Sequence, residues 1–223
     1  MTLLVKICGL TRPSDVEAAI AAGADCLGFV LAPESPRCVS LAQLRALTAA
    51  VPPGIRRIGV VVNADRDLLA AAVEAGGLDA VQFHGDETAE ALRAFTATTA
   101  WQAVALRTPA DVDAAAGSPA AMIVADAAAP GRRGGTGTLC DWGLAEALAR
   151  RRAVVLAGGL RPENVADAIA AVRPHGVDVS SGIESSPGCK DPTRLRDFIA
   201  IARAAAAAAG TASDSASRGS IDP

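Results

Sequence analysis

A chain of 223 residues that is 51% hydrophobic is large enough for one sizeable core, and its net charge of −3 argues against nucleic acid or an anionic membrane as the main partner. Aromatic residues are only 3% and there is no Tyr, so the core has to be built from Ala, Val, Leu and Ile. Five scattered cysteines with no CxxC pair, and only two histidines, argue against a zinc cluster and suit a reducing compartment.

In chain order, Leu3–Ile7 reads as a first strand ending at Cys8-Gly9, and Ser14–Ala22 as an amphipathic helix. Further strands follow at Cys26–Val30, Arg57–Val62, Ala80–Phe83, Trp101–Ala105, Ala121–Ala125, Val154–Ala157 and Gly176–Ser180, each bounded by Gly, Pro, Asp or Ser. Between and after them the helical pattern recurs at Leu41–Ala50, Arg66–Ala75, Glu87–Thr96, Ala110–Ala115, Trp142–Ala149, Pro162–Ala171 and Pro192–Ala209. Ser40 and Asp65 stand at N-cap positions, Pro162 at a first helical turn, and Gly23 and Gly76 where a left-handed C-cap belongs. A Gly-x-Asp-hydrophobic pattern at Gly23–Cys26, Gly77–Ala80 and Gly176–Val179 suggests an internal repeat in which a helix ends and a buried strand begins.

Eight βα units with strands apolar on both faces predict an α/β fold, a single (β/α)8 TIM barrel over residues 1–209, followed by a short disordered polar tail over 210–223. The alternative is a doubly wound open sheet, but its G-x-G-x-x-G after the first strand is absent. No signal-like segment opens the chain, and no apolar run approaches the roughly 20 residues that span a bilayer. The expectation is a soluble, cytoplasmic protein.

In such a barrel the carboxyl ends of the strands share one mouth. Three glycine-rich segments reach it: Gly134-Gly135-Thr136-Gly137, Gly158-Gly159 and, after the last strand, Ser180-Ser181-Gly182. Read blandly they are turns. Read together they let backbone N–H groups approach an anion, and loops after strands 7 and 8 often hold phosphate. Asp126 ends a strand and is either a cap or a general acid. Cys8 is either a buried filler or, as thiolate, a base; Lys6 shares its strand face and would oppose Asp178 across the barrel closure. Arg37, in a loop over the mouth, is either solvated or a bidentate carboxylate clamp, and His84 either meets substrate or serves locally. Cys26, Cys38, Cys140 and Cys189 read as structural.

These residues in this order resemble the phosphoribosylanthranilate isomerases of tryptophan biosynthesis. The likeness runs from Lys6-Ile7-Cys8-Gly9 through Arg37, Gln82-Phe83-His84-Gly85, Asp126 and the glycine segments, to Val177–Glu184 and Pro187-Gly188-Cys189-Lys190-Asp191. The resemblance implies an Amadori rearrangement with Asp126 as acid and Cys8 as base. It implies that Arg37 meets the anthranilate carboxylate, and that Gly135, Gly137, Gly158, Gly159, Ser181 and Gly182 belong to the phosphate site, with His84, Asp178 and Ser180 also lining the substrate. It calls for no metal and no organic cofactor, for a small-molecule phosphosugar substrate with neither nucleic acid nor membrane as partner, and for a monomer or homodimer. Competing readings are a histidine-pathway isomerase, which would want an aspartate at Cys8, a metal epimerase, which would want inward histidines, and a non-catalytic phosphosugar-binding barrel.

Overall fold

The protein is described by a computed structural model covering residues 3–127 and 140–218. Eight parallel strands, β1 (Leu4–Ile7), β2 (Cys26–Val30), β3 (Arg56–Val61), β4 (Ala80–Phe83), β5 (Thr99–Ala105), β6 (Met122–Asp126), β7 (Val154–Leu156) and β8 (Gly176–Val179), pair in chain order, and β8 bonds back to β1 to close a barrel. Closure sets Lys6 opposite Asp178 in the β1–β8 register. The helices are α1 (Pro13–Ala22), α2 (Leu41–Thr48), α3 (Arg66–Gly76), α4 (Ala89–Ala94), α5 (Pro109–Ala116), α6 (Trp142–Ala149), α7 (Val165–Val172) and α8 (Pro192–Arg218).

Because side chains alternate along a strand, each strand feeds two cores. Outward residues such as Leu27, Phe29, Val81 and Ile123 pack under the helices in one large cluster. Inward residues, among them Ile58, Trp101, Val124 and Val155, fill the barrel interior, with Cys26 joining them as a small filler. Above that layer Cys8, Val30, Ala32 and Val60 line the opening. Burial on both sides explains the unbroken apolar runs of the strands.

The local signals hold for most ends and shift at a few. Ser40 caps α2 in a full capping box with Gln43, and Asp65 caps α3 through Leu68 N–H. Gly23 is left-handed as expected, but after α3 it is Gly77 that turns left-handed, while Gly76 closes the helix against Leu44 and Leu78. Pro162 does not start α7. Asn164 folds back to accept from Arg161 N–H and donate to the Gly159 carbonyl, so the helix begins at Val165. Helix α4 starts after Thr88, because the Glu87 carboxylate is taken by the N–H groups of Asn63 and Gly85.

Two copies of the Gly-x-Asp pattern do one job: Asp25 and Asp79 accept from Val5 N–H and Arg57 N–H, pinning the start of the neighbouring strand. Asp178 is not a third copy, since it lies inside β8 and faces Lys6. Helix α8 runs from Pro192 to Arg218, with the alanine run Ala204–Ala209 supplying strong helical propensity in its middle. Beyond strand β8 the chain adds a 3₁₀ turn, Ser181–Ile183, and a short antiparallel hairpin, β9 (Glu184–Ser186) and β10 (Cys189–Lys190), which the sequence reading did not anticipate.

Candidate active site at the barrel mouth

Cys8 follows β1 and is buried, with only its upper side reaching the mouth. Gly28 on β2 makes room for it, since a Cβ there would stand 2.8 Å from the sulfur. Immediately afterwards Gly9 adopts φ +72°, and a Cβ on it would meet Arg37 Cδ at 2.5 Å. Glycine at this turn therefore serves both the left-handed backbone and the close passage of Arg37.

Beneath Cys8, Lys6 is fully buried and donates to Asp178 Oδ2 at 2.7 Å. Burial works against the Lys6 ammonium, but Asp178 and then Cys8 outweigh it and hold its proton more tightly than usual. For Cys8 the balance differs. Burial pushes the thiol up, Lys6 pulls it down, Asp178 pushes it up again, and the net direction is up. The free site therefore holds a thiol poised over a cation.

Asp126 ends β6, buried, with Oδ1 accepting from Ala127 N–H at 2.7 Å and Oδ2 3.3 Å from His84 Nε2. His84 thus stands against the acid candidate rather than apart from it. Cys140, at the foot of α6, is a buried structural thiol pushed up to about 12 by burial first and then by Asp126 and Asp141.

Arg37 reaches over the mouth, and its Nε and Nη2 donate to Glu184 at 2.8 and 2.7 Å, a two-point fork. Those hydrogen bonds, the largest influence on it, hold its charge in place. Glu184 shares the same carboxylate with buried Lys190, whose Nζ lies 2.8 Å from Oε1 and also faces Ser180 O and Oγ. Burial disfavours the Glu184 carboxylate, yet Arg37 and Lys190 together keep it below its ordinary range. Arg37 and Lys190 thus flank one carboxylate, although burial, the largest influence on Lys190, pushes its ammonium below the usual lysine range. The hairpin that supplies Glu184 and Lys190 is itself tied down, with Thr11 Oγ1 donating to the Gly188 carbonyl and Lys190 N–H to Asp15.

On the β7–β8 side, Gly158 and Gly159 are both left-handed. Gly182 passes so close to the Leu160 carbonyl that a Cβ would collide with it, and Arg194 donates to the Gly182 carbonyl from α8. Cys8, Arg37, Gln82, His84, Asp126, Gly158, Gly159, Asp178, Ser180, Ser181 and Gly182 all line one cavity of about 630 Å³. An opening of that size can hold a small-molecule ligand.

The sequence of the family described as N-(5'phosphoribosyl)anthranilate (PRA) isomerase matches this chain over residues 5–201. The chain belongs to that family. A relative from Pseudomonas fluorescens (strain Pf0-1), an N-(5'-phosphoribosyl)anthranilate isomerase, is 45% identical over 202 residues, covering 89% of this chain and 97% of its own length. The phosphoribosyl anthranilate isomerase of Thermotoga maritima superposes with a TM-score of 0.85 at 37% identity, covering 91% of this chain and 100% of its own. A second solved structure is a complex of such an isomerase with reduced 1-(o-carboxyphenylamino)-1-deoxyribulose 5-phosphate; it matches with a TM-score of 0.82 at 36% identity, covering 91% and 100%.

Against this family background, the fold brings together every expected site residue except Gly135 and Gly137, which lie outside the described residues. Sequence reasoning missed Glu184 and Lys190. Their signal was available: Pro187-Gly188 between two short polar segments is a turn, and the turn places the two charges side by side. It also left Gln82 without a role.

Proposed function

We propose that this mouth catalyses the Amadori rearrangement of N-(5'-phosphoribosyl)anthranilate to 1-(2-carboxyphenylamino)-1-deoxyribulose 5-phosphate, the isomerisation of tryptophan biosynthesis. The observation that carries the reading is Cys8 and Asp126 on opposite sides of one cavity, each backed by its own partner, in a chain of this family. Asp126, as the carboxylic acid, gives a proton to the furanose ring oxygen, the C1–O bond breaks, and an iminium forms between C1 and the anilino nitrogen. Cys8, as thiolate, removes the C2 proton, and its electron pair moves into the C1–C2 bond to give an enolamine. Reprotonation at C1 and loss of the proton from the C2 hydroxyl yield the ketone.

The iminium is its own electron sink, so this route uses neither a metal nor an organic cofactor. Lys6 lies close enough to the sulfur to favour the thiolate, and His84 fixes the Asp126 carboxyl. Arg37, oriented by Glu184, turns its remaining N–H edge to the anthranilate carboxylate. Gly158, Gly159, Ser181 and Gly182, with Gly135 and Gly137, take the phosphate, and Asp178 and Ser180 border the sugar.

The substrate is a free small molecule, with neither nucleic acid nor membrane as partner; among the described residues no helix is long and apolar enough to cross a membrane. We read the protein as cytoplasmic and as a monomer or homodimer; a Thermotoga maritima relative described as dimeric supports the second. The test is loss of the substrate's anthranilate-type fluorescence on turnover. The wild type should consume it, while Asp126→Asn and Cys8→Ser, still folded, should each lose about 10²–10⁴-fold in kcat. A wild type that leaves the fluorescence unchanged, or either variant within threefold of it, breaks the assignment.

A further inference from the structure

Among the described residues, five buried side-chain atoms have no hydrogen-bond partner: Arg57 Nε, Gln82 Oε1, Trp142 Nε1, Arg152 Nε and Asp178 Oδ1. The two guanidinium nitrogens belong to side chains whose other nitrogens donate to backbone carbonyls, and Trp142 opens α6 away from the mouth lining. Only Gln82 and Asp178 border the cavity, and both orphan atoms are acceptors.

Gln82 is 2% exposed and sits on β4 between Val60 of β3 and Trp101 of β5, both apolar. An amide oxygen buried in such company loses its hydration without gaining a partner, which costs stability unless something else fills the role. An apolar side chain of equal size would serve the barrel better. In a closed ring of eight strands, β4 stands opposite β8, so Gln82 and Asp178 face the opening from opposite walls, with the Cys8 strand β1 between them on one side and the Asp126 strand β6 on the other. Asp178 has one oxygen committed to Lys6 and the other uncommitted.

We propose that Gln82 is a substrate-binding residue that engages a hydroxyl group of the sugar, with Asp178 Oδ1 open to a second hydroxyl from the opposite wall. A pentose is the part of the molecule that carries hydroxyl donors, whereas its phosphate and carboxylate ends are acceptors and match the glycine turns and Arg37. An amide suits a hydroxyl because both donate and accept. The inference rests on the isomerase reading above and adds a residue to it.

The test uses Gln82→Leu and Gln82→Met, both close in volume. Three quantities are read: thermal midpoint, affinity for reduced 1-(o-carboxyphenylamino)-1-deoxyribulose 5-phosphate by fluorescence titration, and affinity for inorganic phosphate. The expected result is a midpoint equal to or above that of the wild type, binding of the reduced product about tenfold weaker, and phosphate affinity within twofold. Reduced-product affinity within twofold of the wild type in both variants overturns the inference while leaving the isomerase reading intact. A lower midpoint with parallel loss of phosphate binding in both assigns Gln82 to the frame and also overturns it. A wild type that neither binds the reduced product nor turns over substrate overturns the isomerase reading itself.

Discussion

The lower interior of the barrel and its mouth are built from the same strands a residue or two apart, yet they are opposite kinds of matter. Below, Ile58, Val124 and Val155 interlock with no polar atom to satisfy. Above, Lys6 with Asp178 and Lys190 with Glu184 are removed from water in pairs, Asp126 is buried against His84, and Gln82 and Asp178 keep oxygens with no partner. The contrast separates what makes the barrel stable from what makes it useful. Buried charge in a mouth is weak as glue, because desolvation takes back most of what pairing gives, but it sets the proton affinities and the electrostatic field that a substrate meets.

The sharpest way to break that contrast is at the border between the layers. Lys6→Met strands the Asp178 charge and should cost about 3–5 kcal/mol of stability, together with most of the turnover. The double variant Lys6→Met/Asp178→Leu should regain stability and not turnover. If denaturation and turnover recover together, the pair is merely structural. One layer lower, Ile58→Ala should cost about 2–5 kcal/mol while kcat/KM of the folded fraction stays within threefold; a large kinetic defect would show that the lower layer shapes the site.

At the rim the expected effects are smaller. Glu184→Gln removes the anionic half of the Arg37 fork and should raise KM about tenfold with kcat within threefold, the pattern of lost uniform binding. A fall in kcat at constant KM would move Glu184 into the chemistry. The mildest probe is pH. Since burial pushes the Cys8 thiol up and the base must be deprotonated, kcat/KM of the free enzyme should rise with pH through the neutral range. A profile flat from pH 6 to 9 would mean that Cys8 is not the titrating base.

Much of this was legible from the residues alone, and the parts that were not share a cause. Strand and helix placement follows from local periodicity and from Gly, Asp and Pro at the breaks, so Cys26–Val30, Ala80–Phe83 and Trp142–Ala149 come out with the ends the sequence suggests. Strand order follows in turn, because short crossovers leave a parallel barrel few ways to close, and that was enough to put Lys6 against Asp178. The start of α7 shifts because a side-chain hydrogen bond of Asn164 competes with the helix, a contest that periodicity does not register.

By itself, then, the sequence determined the (β/α)8 barrel and the strand ends that carry Cys8, His84, Asp126, Gly158 and Ser180, since these depend on local backbone preferences and a period of two. Only the tertiary structure decided who holds whom. Arg37 and Glu184 are 147 residues apart and meet through a hairpin folded over the mouth. His84 lands on Asp126, and Gln82 ends in an apolar wall with its oxygen unanswered. Those outcomes turn on ångström distances and on burial in three dimensions, which no local pattern of residues encodes.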